Sequence, residues 1–229
     1  MQMEMERRIQ LISPDLVIEN KPSSDLLFSI LNEAQDRYVM INYVGDDQLE
    51  IETNAQTKNT DSLKSLLVEK ELTTYDTTPN FIKRFKLPTN ENEQYFLYVH
   101  SVSKVTGTYK QLDNEVTVDN QLVKYRDLPK FMTTAYNTPI VRNPAVALTS
   151  DINSKAMYMA VVTDKYTDLN SVILTYYRKP LRFGVTYGID QCELPESVHS
   201  EIVDLAVNMF ITEGKYRLQT KQPNQSKEQ

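Results

Sequence analysis

Among 229 residues there is one cysteine, two histidines, five glycines and no tryptophan. The lone thiol, Cys192, excludes an internal disulfide framework and any multi-cysteine zinc site, and it fits a reducing compartment. His100 and His199 cannot build a three-histidine centre, and neither has a second His or Cys at ligand spacing. No metal and no cofactor is expected. So few glycines leave no phosphate-cradling loop, and neither a dinucleotide fingerprint nor a Walker sequence is present. No apolar run approaches the roughly 18 residues that a membrane span needs. Met1 to Arg8 is charged and polar, without the apolar stretch of a secretory signal. An excess of positive charge is missing too: 25 Lys and Arg stand against 31 Asp and Glu, a net charge of −6. Nucleic-acid backbone is therefore not expected as a primary partner, because such binding rests on basic residues neutralising phosphates.

What the chain does have is an ordinary apolar share of 40% with 24% charged residues, enough for a substantial core at this length. The best-marked element opens at Leu194-Pro195-Glu196-Ser197, where proline suits the first helical position and the acid suits the positive end of the dipole. Val198, Ile202, Leu205 and Met209 follow at steps of three and four, widened by Val203, Ala206, Val207 and Phe210. Ser200, Glu201, Asp204 and Asn208 form the narrow polar strip, and Gly214 is the expected stop. A helix this apolar must be covered on more than one side, by its own sheet or by a neighbouring subunit.

Upstream, an N-terminal arm is expected over residues 1–22. A helix over 24–44 is capped by Ser23 or Ser24, with Leu27, Leu31, Ala34, Tyr38 and Ile41 on its apolar face. Gly45-Asp46-Asp47 reads as a turn before a short strand at Leu49 and Ile51. A second helix is expected over 60–72, on Leu63, Leu66 and Leu67. Beyond it the period becomes alternating. Phe81 to Leu87 and Tyr95 to Val105 read as a hairpin across Pro88 to Asn92, with Tyr95 and Tyr98 on opposite faces, and Val116 to Asn120 starts a small second hairpin. Three prolines between Leu128 and Pro144 mark an ordered loop with a short helix near Phe131. Ala145 to Thr149, Ala156 to Thr163 and Ser171 to Arg178 read as an antiparallel meander ended by Pro180. These patterns predict an α+β fold: a helical bundle (24–44, 60–72, 195–213) with an antiparallel sheet or hairpins. A single domain is expected over 23–214, followed by a polar tail over 215–229 that has little to bury.

Catalytic signals are sparse. Cys192, seven residues before His199 and near a helix start, could form a Cys–His nucleophile for a small hydrolase. A packed thiol and a half-buried histidine are the simpler reading, because His199 falls among Val198, Ile202 and Val203. Acidic pairs such as Asp46-Asp47 or Glu69 and Glu71 are ordinary on an acidic surface. The 14 tyrosines suit cross-strand packing, and equally suit protein interfaces, where ring and hydroxyl are both satisfied.

The run Glu193-Leu194-Pro195-Glu196-Ser197-Val198-His199-Ser200-Glu201-Ile202-Val203-Asp204-Leu205-Ala206-Val207, preceded by Tyr176-Tyr177-Arg178-Lys179-Pro180, resembles the C-terminal part of head-to-tail connector (ring or adaptor) proteins of crAss-like tailed bacteriophages. Leu31-Asn32-Glu33-Ala34-Gln35-Asp36 and Tyr136-Asn137-Thr138-Pro139-Ile140-Val141-Arg142-Asn143-Pro144 are similar to other stretches of that group, in the same order. The resemblance implies a non-enzymatic subunit of a twelve-fold ring below the portal, assembled in the host cytoplasm and located in the virion. Its partners would be further copies of itself, the portal and adjacent tail or ring proteins, with genome DNA only passing through the channel. An acidic balance would repel that DNA rather than retain it.

On this reading the helices from Ser24 and Pro195 form the ring wall, and arm and tail reach adjacent subunits. Arg7, Arg8, Arg142, Arg178 and Arg182 are the candidate interface ion pairs, with Leu27, Leu31, Tyr38, Tyr177, Ile202, Met209 and Phe210 as the apolar and aromatic interface candidates. Another virion component, a head decoration or tail hub protein, is the alternative, and the Cys192 and His199 hydrolase is the third.

Overall fold

The structure is a computed structural model that describes residues 1–12, 22–43, 61–78, 82–107, 112–128, 144–151, 156–163, 167–184, 187–189 and 191–220; of 77–78, 112–114 and 213–220 only the backbone is described. The expected turn and strand at 45–51, the short helix near Phe131, Arg142 and the tail beyond 220 lie outside the described residues. The chain is a mixed α+β protein of two compact units, a helical one drawn from Met1–Val44, Glu50–Leu66 and Pro180–Gln229, and a sheet one from Gly45–Leu49 and Leu67–Lys179.

Among the described residues the helical unit has three long helices: α1 (Gln2–Ile12), α2 (Ser24–Asn42) and α3 (Glu196–Thr220). Ser23 caps α2, its hydroxyl accepting from Leu26 N at 3.3 Å, which holds one of the donors that a helix start leaves unpaired. Leu27, Leu31, Ala34 and Tyr38 are buried as their spacing predicts, but Ile41, one turn beyond them, is 67% exposed. On α3, Val198, Ile202, Val203, Ala206, Val207 and Met209 are buried, and the strip of Ser200, Glu201, Asp204 and Asn208 is exposed. α1 and α2 both pack on α3, so its broad apolar surface is covered by helices of the same chain. Gly214 does not stop α3, which runs on to Thr220. One interior glycine costs about 1 kcal/mol, and no proline follows it within the helix to force an end.

The expected helix over 60–72 is not formed. A single helical turn at 61–63 and a 3-10 turn at Lys64–Leu66 bury Leu63 and Leu66, and then β1 (Leu67–Leu72) begins. Leu67-Val68-Glu69-Lys70-Glu71-Leu72 alternates between exposed and covered positions, and a strand partner rewards that period where a helix would not.

The sheet unit continues with β2 (Tyr75–Thr78), β3 (Ile82–Lys86), β4 (Tyr95–Gly107), β5 (Leu112–Asp119), β6 (Gln121–Leu122), β7 (Ala145–Ser150), β8 (Met157–Val162) and β9 (Thr167–Arg178). They form two sheets, ordered β1-β9-β4-β5 and β2-β3-β8-β7-β6, antiparallel throughout except where β6 meets β7. One core joins them: Phe85, Met159, Val161 and Val146 from the second sheet pack with Leu72, Tyr98, Val105, Val172, Leu174 and Tyr176 from the first. The second sheet is also buried on its far side, where Ala147 and Val162 meet Leu128.

This sandwich overturns three expectations about pairing. β3 and β4 are not a hairpin: β3 pairs with β8 and β4 with β9, and the Pro88-to-Gln94 turn is a corner between sheets, closed by Tyr95 N donating to Pro88 O at 3.0 Å. The meander ends at β8, since β9 crosses to the other sheet. β5 and β6 likewise part at Asn120 rather than forming a hairpin. Local alternation shows that a segment is a strand; the partner is set by which apolar faces can meet. Tyr95 and Tyr98 are both buried in the shared core, because the β4–β9 register shifts between Tyr95 and Leu97. An inserted residue turns the pleat over.

At the corner where the chain changes sheet sits a buried polar cluster. Asn120 Nδ2 donates to Ser101 Oγ at 2.9 Å, Ser103 Oγ donates to Asn120 Oδ1 at 2.6 Å, and Tyr98 OH shares a bond with Ser101 Oγ at 3.0 Å. Ser101 and Ser103 have no exposed surface. Asn120→Ala leaves the Ser103 hydroxyl without that acceptor and the Ser101 hydroxyl with Tyr98 alone, and one buried hydroxyl left unpaired costs about 1–3 kcal/mol. A loss of about 2 kcal/mol is expected in denaturant unfolding of the sheet unit; a loss under about 0.5 kcal/mol would show that the cluster does not hold the corner.

Candidate functional site

Among the described residues of the helical unit, a dense set of specific side-chain contacts lies where Leu181, Phe183 and Cys192 meet α2. On that helix Asn32 and Gln35, three residues apart on one flank, are buried among Leu31, Ala34 and Val39. Two amides on an apolar helix need partners, and the crossing segment supplies them. Asn32 Nδ2 donates to Phe183 O at 2.9 Å, and Phe183 N donates back to Asn32 Oδ1 at 3.0 Å. Gln35 Nε2 donates to Leu181 O at 3.3 Å, and Leu181 N donates to Glu193 Oε1 at 2.8 Å. The side chains of α2 thus stand in for the neighbouring strand that this extended backbone lacks.

Packing locks the same place. The rings of Phe28 and Phe183 meet edge to face with centroids 6.1 Å apart. Gly184 has φ +129°, a region that side chains rarely adopt, and a Cβ there would lie 2.9 Å from Phe28 Cγ. Gly184 then closes a short bridge to Ile189, donating its N–H to Ile189 O at 2.7 Å. Beside it is a cavity of about 80 Å³ lined by Asp25, Phe28, Ser29, Asn32, Arg182 and Tyr187.

The cysteine and histidine singled out from the sequence fall here but do not pair. Cys192 Sγ donates to Gln35 Oε1 at 3.0 Å, and His199 Nε2 bonds Leu194 O at 2.8 Å. Burial pushes the Cys192 thiol up to about 11, so near neutral pH only about one molecule in ten thousand carries the thiolate. That geometry activates no nucleophile. Because the folded pKa is raised, the stability tied to the neutral thiol is fully present below the ordinary thiol range and is lost as pH rises toward 11. Alkylation of the folded protein at about pH 8.5, the ordinary thiol pKa, should run at least tenfold slower than in denaturant. Equal rates would mean that Cys192 is open and ionised.

Other candidates take varied places. Arg8 is engaged within the unit: its guanidinium bonds Glu4, Asp204 and Ser200, tying α1 to the polar strip of α3, with the Ser200 hydroxyl at 3.0 Å. Leu27, Leu31, Tyr38, Ile202 and Met209 are buried in the helical unit, and Phe210 is half-buried. Tyr38 OH reaches Ser62 Oγ at 3.3 Å. In the sheet unit Tyr177 is buried and Arg178 sits opposite Tyr95 on β9. Arg182 is exposed, 3.5 Å from Tyr187 OH, and Arg7 is exposed on α1. Arg142 is outside the described residues. Asn32, Gln35 and Gly184 were not read from the sequence as a site; the one available signal was two amides interrupting an apolar stripe.

The sheet unit offers an open groove of about 430 Å³ along the β1–β2 corner and β3, carrying both signs of charge in Glu71, Asp76, Arg84 and Lys86. Glu71 is held by Lys104 Nζ at 2.7 Å and Ser171 Oγ at 2.6 Å, which lowers its carboxyl pKa. Among the described residues no group of three or more His, Cys, Asp or Glu could hold a metal ion, and no helix is long and apolar enough to cross a membrane. Compared with known proteins, the chain matches no family model and no curated sequence.

Proposed function

We propose that this chain is a structural virion protein: one subunit of an oligomeric ring in the head-to-tail connector of a tailed phage, below the portal, joining capsid to tail and lining the genome exit path. The carrying observation is the outer surface of the helical unit. Its core is filled from within, yet Met3, Leu11 and Ile12 on α1 and Met40 and Ile41 on α2 are each more than half exposed. Large apolar side chains left out on two helices suit contact with another protein. The sequence resemblance points the same way, and one of its stretches, Leu31 to Asp36, bonds Leu181, Phe183 and Cys192 through Asn32 and Gln35. In a ring the contact is heterologous, one surface meeting a different surface of the next copy until closure fixes the number. α2 and α3 would form the wall, and the acidic strip of α3 would keep DNA from adhering to it.

The mass of the purified protein, alone and mixed with portal, tests this directly. A ring-sized species that binds portal supports it, and a persistent monomer that ignores portal overturns it. Cross-linking in intact particles separates a connector from a head decoration or tail hub protein, since only the connector touches portal and tail together.

A further inference from the structure

The groove beside β2 holds chemistry that the sheet unit itself leaves unused. Its volume of about 430 Å³ is in the range of ligand pockets, and it follows the consecutive residues 71–76, with Arg84, Lys86 and Tyr158 completing the lining. Phe85 and Met159 point into the shared core, so their neighbours Arg84, Lys86 and Tyr158 lie on the outer face of β3 and β8. Asp76 stands opposite Arg84 on the same face. Glu71 is already taken by Lys104 and Ser171. Arg84 and Lys86 make no ion pair among the described residues, even with Asp76 at hand, and the Nε–H of Arg84 is buried without an acceptor. Two cations against one open carboxylate leave the groove short of a negative charge.

The backbone beside these side chains is also only half used. β2 ends its sheet, with β3 alone at its side among the described residues. In an antiparallel strand the N–H and C=O groups turn to alternate sides, so about half of those in Tyr75–Thr78 face away from β3. Such an edge accepts an extended segment as a further strand. At the usual spacing of about 4.8 Å that strand would stand about 10 Å from β3, and the first sheet shows how the gap is crossed. There Glu71 on β1 reaches over β9 to Lys104 Nζ on β4 at 2.7 Å. It passes the small Ser171, which stands opposite Lys104 and donates to the same carboxylate at 2.6 Å. In the second sheet, the register one step past the Tyr75–Phe85 pair sets another small hydroxyl residue, Thr74, beside Lys86.

We infer that the groove receives an extended segment of a partner protein, paired along the free edge of β2, whose glutamate crosses Thr74 to Lys86 and Arg84 as Glu71 crosses Ser171 to Lys104. The occupant is a polypeptide because only a backbone pairs with a strand edge. It carries a single carboxylate at this point because Asp76, next along the same face, repels a run of acids or phosphates. The contact belongs to the sheet unit and holds with or without a ring.

Peptide selection tests it. A random octapeptide library displayed on yeast and sorted against the full chain should converge on a glutamate set among alternating β-branched residues. The strongest of these peptides, labelled and read by fluorescence anisotropy, should lose roughly fivefold in affinity when its glutamate becomes glutamine. That difference should disappear on Lys86→Gln and survive Lys86→Arg. Lys86 is exposed, so both variants should keep the wild-type melting curve. A library that yields no binder, selected peptides with no acid in common, or a difference that Lys86→Gln leaves in place overturns the site. Displacement of the peptide by millimolar inorganic phosphate would reduce it to a general anion site and overturns it too. Self-association of the wild-type chain that Lys86→Gln abolishes would assign the groove to a second copy and overturn a separate partner.

Discussion

Ile202→Asp is expected to unfold the helical unit. Ile202 has no exposed surface and sits on the part of α3 that α1 and α2 cover. A carboxylate there must lose its hydration without a partner or take up a proton, and either course costs several kcal/mol beyond the lost apolar contact. Domains of ordinary stability have about 5–15 kcal/mol in hand, so a loss of about 5 kcal/mol removes most of it. The helical circular-dichroism signal should fall and the protein should aggregate or become protease-sensitive. Ile202→Val, which removes one methylene, should cost only about 1 kcal/mol. A folded, equally stable Asp variant would show that this face of α3 is open to water.

Asn32→Leu should cost about 2–5 kcal/mol although it adds apolar surface, because it leaves the Phe183 N–H and C=O buried with no partner, at about 1–3 kcal/mol each. Asn32→Asp separates the two bonds. Its oxygens can still accept from Phe183 N, but an ionised carboxylate cannot donate to Phe183 O and is repelled by it. The folded-state pKa of that carboxyl would therefore be raised above the ordinary value of about 3.9. Its stabilising form, the protonated one, is fully present below that value and is lost as pH rises through the folded pKa. The Asp variant should thus lie closest to wild type in acid and fall further behind toward neutrality, measured by denaturant unfolding at several pH values. A flat difference across pH, or a Leu variant as stable as wild type, would mean that water reaches the crossing segment and that Asn32 does not hold it.

These two positions show how far the residue pattern could be read in advance. Ile202 was legible as core because a helix repeats every 3.6 residues and its apolar stripe needs no knowledge of what covers it. The same local reasoning found the start of α3 to within one residue, Glu196 rather than Pro195 being the first helical position, one of the two serines offered as the cap of α2, Ser23, and the strand character of β3, β4, β7, β8 and β9. It failed where a partner outweighed local pattern. Leu67 to Leu72, leucine-rich and charged, is compatible with a helix until β9 offers a row of backbone partners from Val172 to Tyr177. The loss of phase between Tyr95 and Tyr98 arises from a register shift against β9, and no spacing within β4 announces it. Asn32 and Gln35 look like interruptions until Leu181 and Phe183 arrive from about 150 residues away to bond them.

The chain alone determined its helix starts, its alternating strands, its acidic balance and its lack of metal-binding and phosphate-cradling motifs, because each follows from residue type or from neighbours within a few positions. Tertiary structure decided which strands share a sheet, that the segment around Phe183 is stapled to α2, that Cys192 is a buried neutral thiol, and which apolar side chains stay uncovered. Those outcomes depend on contacts between residues far apart in the chain, where burial and hydrogen-bond satisfaction select among partners that local periodicity leaves equal.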